Sequence, residues 1–566
     1  MAIRFLRLLA PALLVLIAWR ARAWVPTGAQ DLTLRRECRS EALSTKIVKT
    51  FGDSSKRDSF DPRVWSNFEG VVQDYFDDCG EELQRSSLSN VLDYAEMSLV
   101  TYDVRKHSRM KEVEFLLPSS GMKVRGLIAL QNTTERRPLV IFKCGLTCDL
   151  YDPSMLFTLM VYYDMGPFHV LLLPSNSGKD FIKANRSFAV GGLEEGRQLV
   201  EIARYIESGS WTYSKNISRI HLFGMSLGGH ASLYAAMYAD HLQLQSRETG
   251  PLFSSVFVGC PVVDLKPSLE RVTGESLIAK ILRRTLFKNV VEMLSFVPFF
   301  GQYFDSRDTS YNPSQAALQE MLRSGAVNYY SSVTERAPWR TPPLEDVQFQ
   351  DPRELWDWMN FSKRPLDLLE TPIYVWAPRN DDVVEFKTNT EQLLAGDKRQ
   401  SRRKIFSLDT PLGGHCAFPS LYGWAGASAM MNALFLARSP EILSKMRVID
   451  MKFPRKLGYK SRASARRRRT DATWIAVENK PHITLRMQYR EVPCRLGTGG
   501  PQRCNGFETM KFSYAELGLS DASIPKTSVE AHGFTRWLNA RLKMLDAEKR
   551  SLTVNENPEY LRWIRL

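Results

Sequence analysis

"HLFGMSLGGHASLYAAMYAD", residues 221–240, is the stretch on which the reading of this chain turns. An apolar run enters it, Gly224 and Gly228 flank Ser226 two residues to either side, and an alanine-rich helical pattern leaves it. Strand, tight turn and helix in immediate succession are what a nucleophilic serine needs. Such a turn holds the serine backbone in a strained conformation so that Oγ projects over the sheet edge, and glycines at its flanks let neighbouring elements come close. The helix then aims its N-terminal N–H groups and positive dipole end at the same point. A bare Gly-x-Ser-x-Gly is weak by itself, and its setting is what makes it specific.

Outward from this turn the chain alternates strands and helices. "VEFLL" (113–117) and "VRGLIAL" (124–130) read as an antiparallel opening pair. "PLVIFK" (138–143), "FHVLLLP" (168–174), "RIHLFG" (219–224), "SSVFVGCPVV" (254–263) and "PIYVWAP" (372–378) are apolar on both faces, as buried parallel strands require. Helical patterns lie between several of them, including "GGLEEGRQLVEIARYIES" and the stretch Glu385 to Ala395. The expected fold class is therefore α/β, a doubly wound, mostly parallel sheet.

At these residues the chain resembles the α/β-hydrolase superfamily, in its serine-hydrolase branch of esterases, lipases and serine aminopeptidase-like enzymes. The resemblance spans about residues 112–440 and carries further expectations. Serine alone is a poor nucleophile, so a base and an orienting acid must follow it. Among the eight histidines, His169 and His221 fall in expected strands, and His230 and His241 in or just after the helix behind Ser226. His107 precedes the sheet, and His482 and His532 lie in a C-terminal segment. His415, in "FSLDTPLGGHCAF", follows an expected strand and a Gly-Gly loop, where the superfamily presents its base. The acid is expected in "TPIYVWAPRNDDVVEF", whose likeness to the family's Asp-x-x-Val selects Asp381 over Asp382. The oxyanion hole should combine the Leu227 N–H with that of Leu146, in "FKCGLTCD", where Cys144-Gly145 stands in place of the family's usual His-Gly. Cys144 and Cys148 either pair with each other or are small buried side chains; the sequence leaves both open. Dehalogenase and epoxide hydrolase chemistry would put an aspartate at position 226.

The rest of the chain frames this centre. With 566 residues, 44% hydrophobic and 24% charged, it has the composition of a globular protein able to bury a large core. Residues 1–23 read as a signal peptide, with Arg4 and Arg7, an apolar run from Leu8 to Trp19, and Ala21-Arg22-Ala23 at the cleavage site, so an exported protein is expected. Arg20 and Arg22 leave a signal-anchored membrane form as the alternative. Residues 24–111 read as an N-terminal helical extension, and 112–450 as the hydrolase domain with a helical cap at about 265–365. That cap contains "LFKNVVEMLSFVPFFGQYF" (286–304), which reads as an apolar face for a core or a lining for an acyl chain. Residues 451–470 form a basic linker, a solvated hinge or a contact for an anionic membrane or envelope surface.

Residues 471–566 are expected to form a small α+β accessory domain with a strand at "HITLRMQYREV", a loop bracketed by Cys494 and Cys504, and an amphipathic helix at "FTRWLNARLKML". A net charge of +14 favours anionic surroundings, but no nucleic-acid-binding motif accompanies it. The eight cysteines are compatible with an oxidising compartment and show no zinc-ligand spacing, so neither metal nor cofactor is expected. Asn132, Asn185 and Asn216 lie in glycosylation sequons. Together these features lead to the expectation of a serine hydrolase acting on a small-molecule or lipid-like ester, with no nucleic acid partner.

Overall fold

The computed structural model describes chiefly residues 109–246, 251–274, 315–336, 352–397 and 404–416, with parts of 431–439 and the strand backbones between 446 and 513. The signal peptide expected at 1–23, nearly all of the helical extension expected at 24–111, the stretch 286–304 apart from Val297 and the helix expected at 534–545 lie outside the described residues. So does Asn132.

Eight strands form one sheet: β1 (Met110–Leu116), β2 (Lys123–Ala129), β3 (Arg137–Lys143), β4 (His169–Leu173), β5 (Ile217–Met225), β6 (Ser255–Gly259), β7 (Ile373–Pro378) and β8 (Ile405–Thr410). Their order is β1-β2-β4-β3-β5-β6-β7-β8. β1 pairs antiparallel with β2 and β2 antiparallel with β4, while all pairs from β4 to β8 are parallel. This is the α/β-hydrolase fold.

The strand sequences explain their places. β3, β4, β6 and β7 are buried at every position, whereas edge strand β1 exposes Lys111, Glu112, Glu114 and Leu116. Because side chains alternate between faces, residues in parallel register share a face. Phe142, Phe223, Phe257, Tyr374 and Phe406 stand in one such row across five strands. Within it, the Phe142 and Phe223 ring centroids lie 4.9 Å apart, and Phe223 stacks on Phe257 at the same distance. On the other face Ile141, Leu222, Val256, Ile373 and Ile405 form a second, aliphatic row. Of two long helices, α1 (Gly192–Glu207) and α2 (Leu227–Ser246), α2 packs against β3, β5 and β6, and α1 packs against α2. Between β6 and β7 the described elements are helical, among them α3 (Leu265–Thr273) and α4 (Gln315–Arg336).

Three sequence boundaries shift. β6 ends at Gly259 and not at residue 263, because Cys260 turns into left-handed backbone, with φ 42°, ahead of Pro261. The helix expected from Glu385 begins at Thr390 as α5 (Thr390–Asp397). The Asn389 side chain ahead of it is taken by the Val263 and Asp264 N–H groups, 2.7 and 3.1 Å away.

The third shift concerns a separate five-stranded antiparallel sheet, made of β9 (Met446–Ile449), β10 (Arg455–Tyr459), β11 (Arg468–Asn479), β12 (His482–Cys494) and β13 (Gln502–Ser513). It includes residues 446–449 and 455–459, so it starts before position 450 and draws on the segment read as a linker. Basic composition does not prevent backbone pairing at a sheet edge. In its register Cys494 faces Gln502 and Cys504 faces Val492, two rungs apart on adjacent strands.

The order reverses around β3, which is flanked by β4 on one side and β5 on the other. Crevices at the carboxyl ends of strands beside such a reversal are where α/β sheets bind ligands. β3 runs into the loop 144–148 there, β5 into Ser226, β7 into Asp381 and β8 into His415.

Candidate active site

Ser226 follows β5 directly with φ 55°, a left-handed conformation that is uncommon for a residue with a side chain. A side chain on Gly228 would run into the Lys143 and Cys144 carbonyls, and one on Gly224 into the Gly228 carbonyl and the Ser232 hydroxyl. Glycine is therefore required on both sides of the turn. The turn is also stitched to the end of β6: Ser226 N–H donates to the Gly259 carbonyl at 3.0 Å, and Val262 N–H donates to the Ser226 carbonyl at 3.2 Å. α2 starts at Leu227, so its N–H is among those that have no partner within the helix.

His415 stands opposite. Its Nε2 lies 3.0 Å from Ser226 Oγ, and its Nδ1 lies 2.9 Å from Asp381 Oδ2 and 3.2 Å from Oδ1. Nδ1–H donating to the carboxylate leaves Nε2 free to accept from the serine hydroxyl. Asp381 is fixed in turn, its Oδ1 accepting from the Val383 and Val384 N–H groups at 2.8 Å each. It is only 5% exposed. Asp382 is exposed, and its backbone carbonyl accepts from Arg271 Nε at 2.9 Å. The structure thus brings Ser226, His415 and Asp381 together and leaves Asp382 outside the group. Asn380 steadies the histidine loop by accepting the Gly414 N–H at 2.9 Å.

Three other described histidines are occupied elsewhere. His169 accepts from Gln131 N–H, His221 bonds Ser255 and Ser439, and His230 accepts from Gly192 N–H while facing the Met359 carbonyl.

The loop after β3 closes the other side of the site. Cys144 and Cys148 pair as a disulfide, with Cα atoms 5.9 Å apart, which answers the alternative the sequence left open. A Cβ on Gly145 would lie 3.1 Å from Ser226 Cβ, so this loop abuts the serine, and Leu146 follows at once.

Beneath the loop sits a group that the sequence reading missed. Lys143, the last residue of β3, is buried and donates to the Pro174 carbonyl at 2.6 Å, with Glu195 Oε1 3.6 Å away. Burial lowers the Lys143 pKa against the pull of Glu195, and burial raises that of Glu195 against the pull of Lys143. From Glu195 a chain of hydrogen bonds runs through Ser175 and Ser177 to the Thr147 N–H, next to Leu146. A lysine closing an apolar strand, and paired glutamates in the helical pattern at 194–195, were the available signals.

A second feature unforeseen in the sequence is a disulfide between Cys260 and Cys416, which joins the end of β6 to the residue after His415. Among the described residues, Cys260, His415 and Cys416 also form the one group of potential metal ligands that gathers closely, their ligand atoms all within 4.8 Å of one another.

This arrangement can transfer a proton from Ser226 Oγ to His415 Nε2 as Oγ bonds to an electrophile, with the Asp381 carboxylate opposite the developing imidazolium.

No protein-family model matches the chain, and no curated protein matches it. Solved structures similar to it include the esterase Pf2001 of Pyrococcus furiosus, at 14% identity and TM-score 0.34, covering 60% of this chain and 96% of that one. Est1E from Butyrivibrio proteoclasticus is similar at 13% identity and TM-score 0.33, over 58% of this chain and 99% of its own. Oligopeptidase B from Leishmania major is similar at 12% identity and TM-score 0.34, over 58% of this chain but only 37% of its own.

Proposed function

We propose that the chain is an exported serine hydrolase that cleaves carboxylic esters through an acyl-enzyme. Ser226 Oγ attacks the ester carbonyl while His415 Nε2 takes its proton, and Asp381 holds the Nδ1–H tautomer and stabilises the imidazolium. The Leu146 and Leu227 N–H groups stabilise the oxyanion, each worth on the order of 10² to 10³ in kcat. His415 then returns the proton to the leaving alcohol, and a water activated by the same nitrogen releases the acid. The observation that carries this reading is the pair of contacts on His415, 3.0 Å to Ser226 Oγ and 2.9 Å to Asp381 Oδ2.

An ester is favoured over an amide or thioester by the apolar make-up of residues 286–304. Export is supported by the leader-like N-terminus and by two disulfides, which persist in oxidising compartments. The basic segment 451–470 would meet an anionic membrane or envelope surface.

A chain-length series of esters, assayed beside aminoacyl amides, tests the substrate class. Ester turnover is expected, lost in Ser226→Ala and reduced on the order of 10⁶ in His415→Ala if the residues act as a unit. Faster turnover of the amides would move the assignment to a serine aminopeptidase-like enzyme. No turnover of any of them by folded protein would favour a non-catalytic binding protein.

A further inference from the structure

Cys260 and Cys416 are set where a crosslink bears directly on the histidine. Cys416 follows His415 in the chain, and Cys260 follows Gly259, whose carbonyl accepts the Ser226 N–H. Both cysteines have left-handed backbone, φ 42° at Cys260 and 59° at Cys416, and both are buried. Their Cα atoms stand 5.6 Å apart. A ring nitrogen of His415 lies within 4.8 Å of both sulfurs, and the His415 side chain is 20% exposed, so the site has an opening to solvent.

Two thiolates and an imidazole are the donor set of many tetrahedral zinc sites, and sulfur ligands select soft cations over magnesium or calcium. Zinc-bound sulfurs in a tetrahedral site are about 3.8 Å apart, given Zn–S bonds of about 2.3 Å. Side-chain rotation is enough to open that distance at this Cα separation.

We propose that Cys260, His415 and Cys416 form a redox-gated inhibitory site for a soft divalent cation such as Zn²⁺. In the oxidised protein the disulfide consumes both sulfur ligands and no metal binds. A dithiol reductant transfers two electrons and two protons to the disulfide, giving two thiols and its own cyclic disulfide. Zn²⁺ then displaces the two thiol protons and takes one nitrogen of His415. Either nitrogen disables the site, because Nδ1 faces Asp381 and Nε2 faces Ser226. The disulfide therefore serves as a lock that keeps the general base from becoming a metal ligand. This inference rests on the reading of His415 as that base.

The test uses the full-length protein prepared under a dithiol and the same protein after oxidation, each with and without equimolar Zn²⁺. Two readouts are followed, the rate of fluorophosphonate labelling at Ser226 and the zinc retained after gel filtration. Zinc is expected to slow labelling of the reduced protein at least about tenfold, reversibly on chelation, and to leave the oxidised protein unaffected. Retained zinc in the reduced state is expected to fall by about one per chain in Cys416→Ser. Cys260→Ser, on a different element, gives the same result independently of any folding defect in the first variant. Reduced protein that labels at the same rate with zinc, or zinc retention unchanged in both variants, overturns the proposal. If fluorophosphonate labels no state, the hydrolase reading fails, while the zinc count still decides the site.

Discussion

The turn around Ser226 and the loop around His415 reach the same point in space by different means. The serine turn is built from neighbours in sequence. β5 and α2 are joined without a spacer, two glycines admit the Lys143, Cys144 and Gly228 carbonyls, and backbone hydrogen bonds tie it to β6. The histidine loop is held from a distance: Asn380 takes the Gly414 N–H, Asp381 takes the ring, and a disulfide spanning 156 residues anchors Cys416. One region is rigid because of its own covalent geometry and close contacts. The other is rigid only because remote partners hold it, so it is where single side-chain changes should disturb chemistry without disturbing the fold.

The largest effect expected from this difference is at Asp381. Asp381→Asn keeps the shape of the side chain but no longer favours the Nδ1–H tautomer, and kcat should fall on the order of 10⁴ while the urea midpoint stays close to wild type. Asp382→Asn, outside the group, should change kcat less than about threefold. Similar losses in both variants, read by steady-state kinetics, would remove the distinction between the two aspartates.

A smaller effect falls on the serine side, and it is one of stability. His230 lies in α2 one turn beyond Ser226, fully buried, and burial lowers its pKa from 6.5 to about 4. Between those values the unfolded chain takes up a proton that the folded chain refuses. The contribution is therefore complete above about pH 6.5 and is lost as pH falls toward 4, by about 3 kcal/mol. Urea unfolding of wild type and His230→Gln across that range checks this, since the difference between the two curves should shrink as pH falls. A difference independent of pH would mean that His230 does not titrate between the two states.

The same contrast explains which parts of the site are legible in the sequence. The serine turn was legible because each of its requirements lies within a few residues of Ser226. Asp381 and His415 are expected from their places at strand ends, and the strand order brings those ends together. The Cys260–Cys416 pairing had no local signature, because nothing near either cysteine names its partner. Lys143 and Glu195 escaped for a related reason, as a strand terminus and a helix face meet only through tertiary structure. In the segment 446–470 charge obscured strands, because backbone pairing makes little demand on side-chain type at a sheet edge.

The central claim is that Ser226 is a nucleophile activated by His415. Fluorophosphonate treatment of the folded, oxidised protein, followed by peptide mass mapping, tests it most directly. One adduct is predicted, on the peptide containing Ser226, absent in Ser226→Ala and formed far more slowly in His415→Ala. Folded protein that remains unlabelled, or an adduct that persists undiminished in Ser226→Ala, would contradict it.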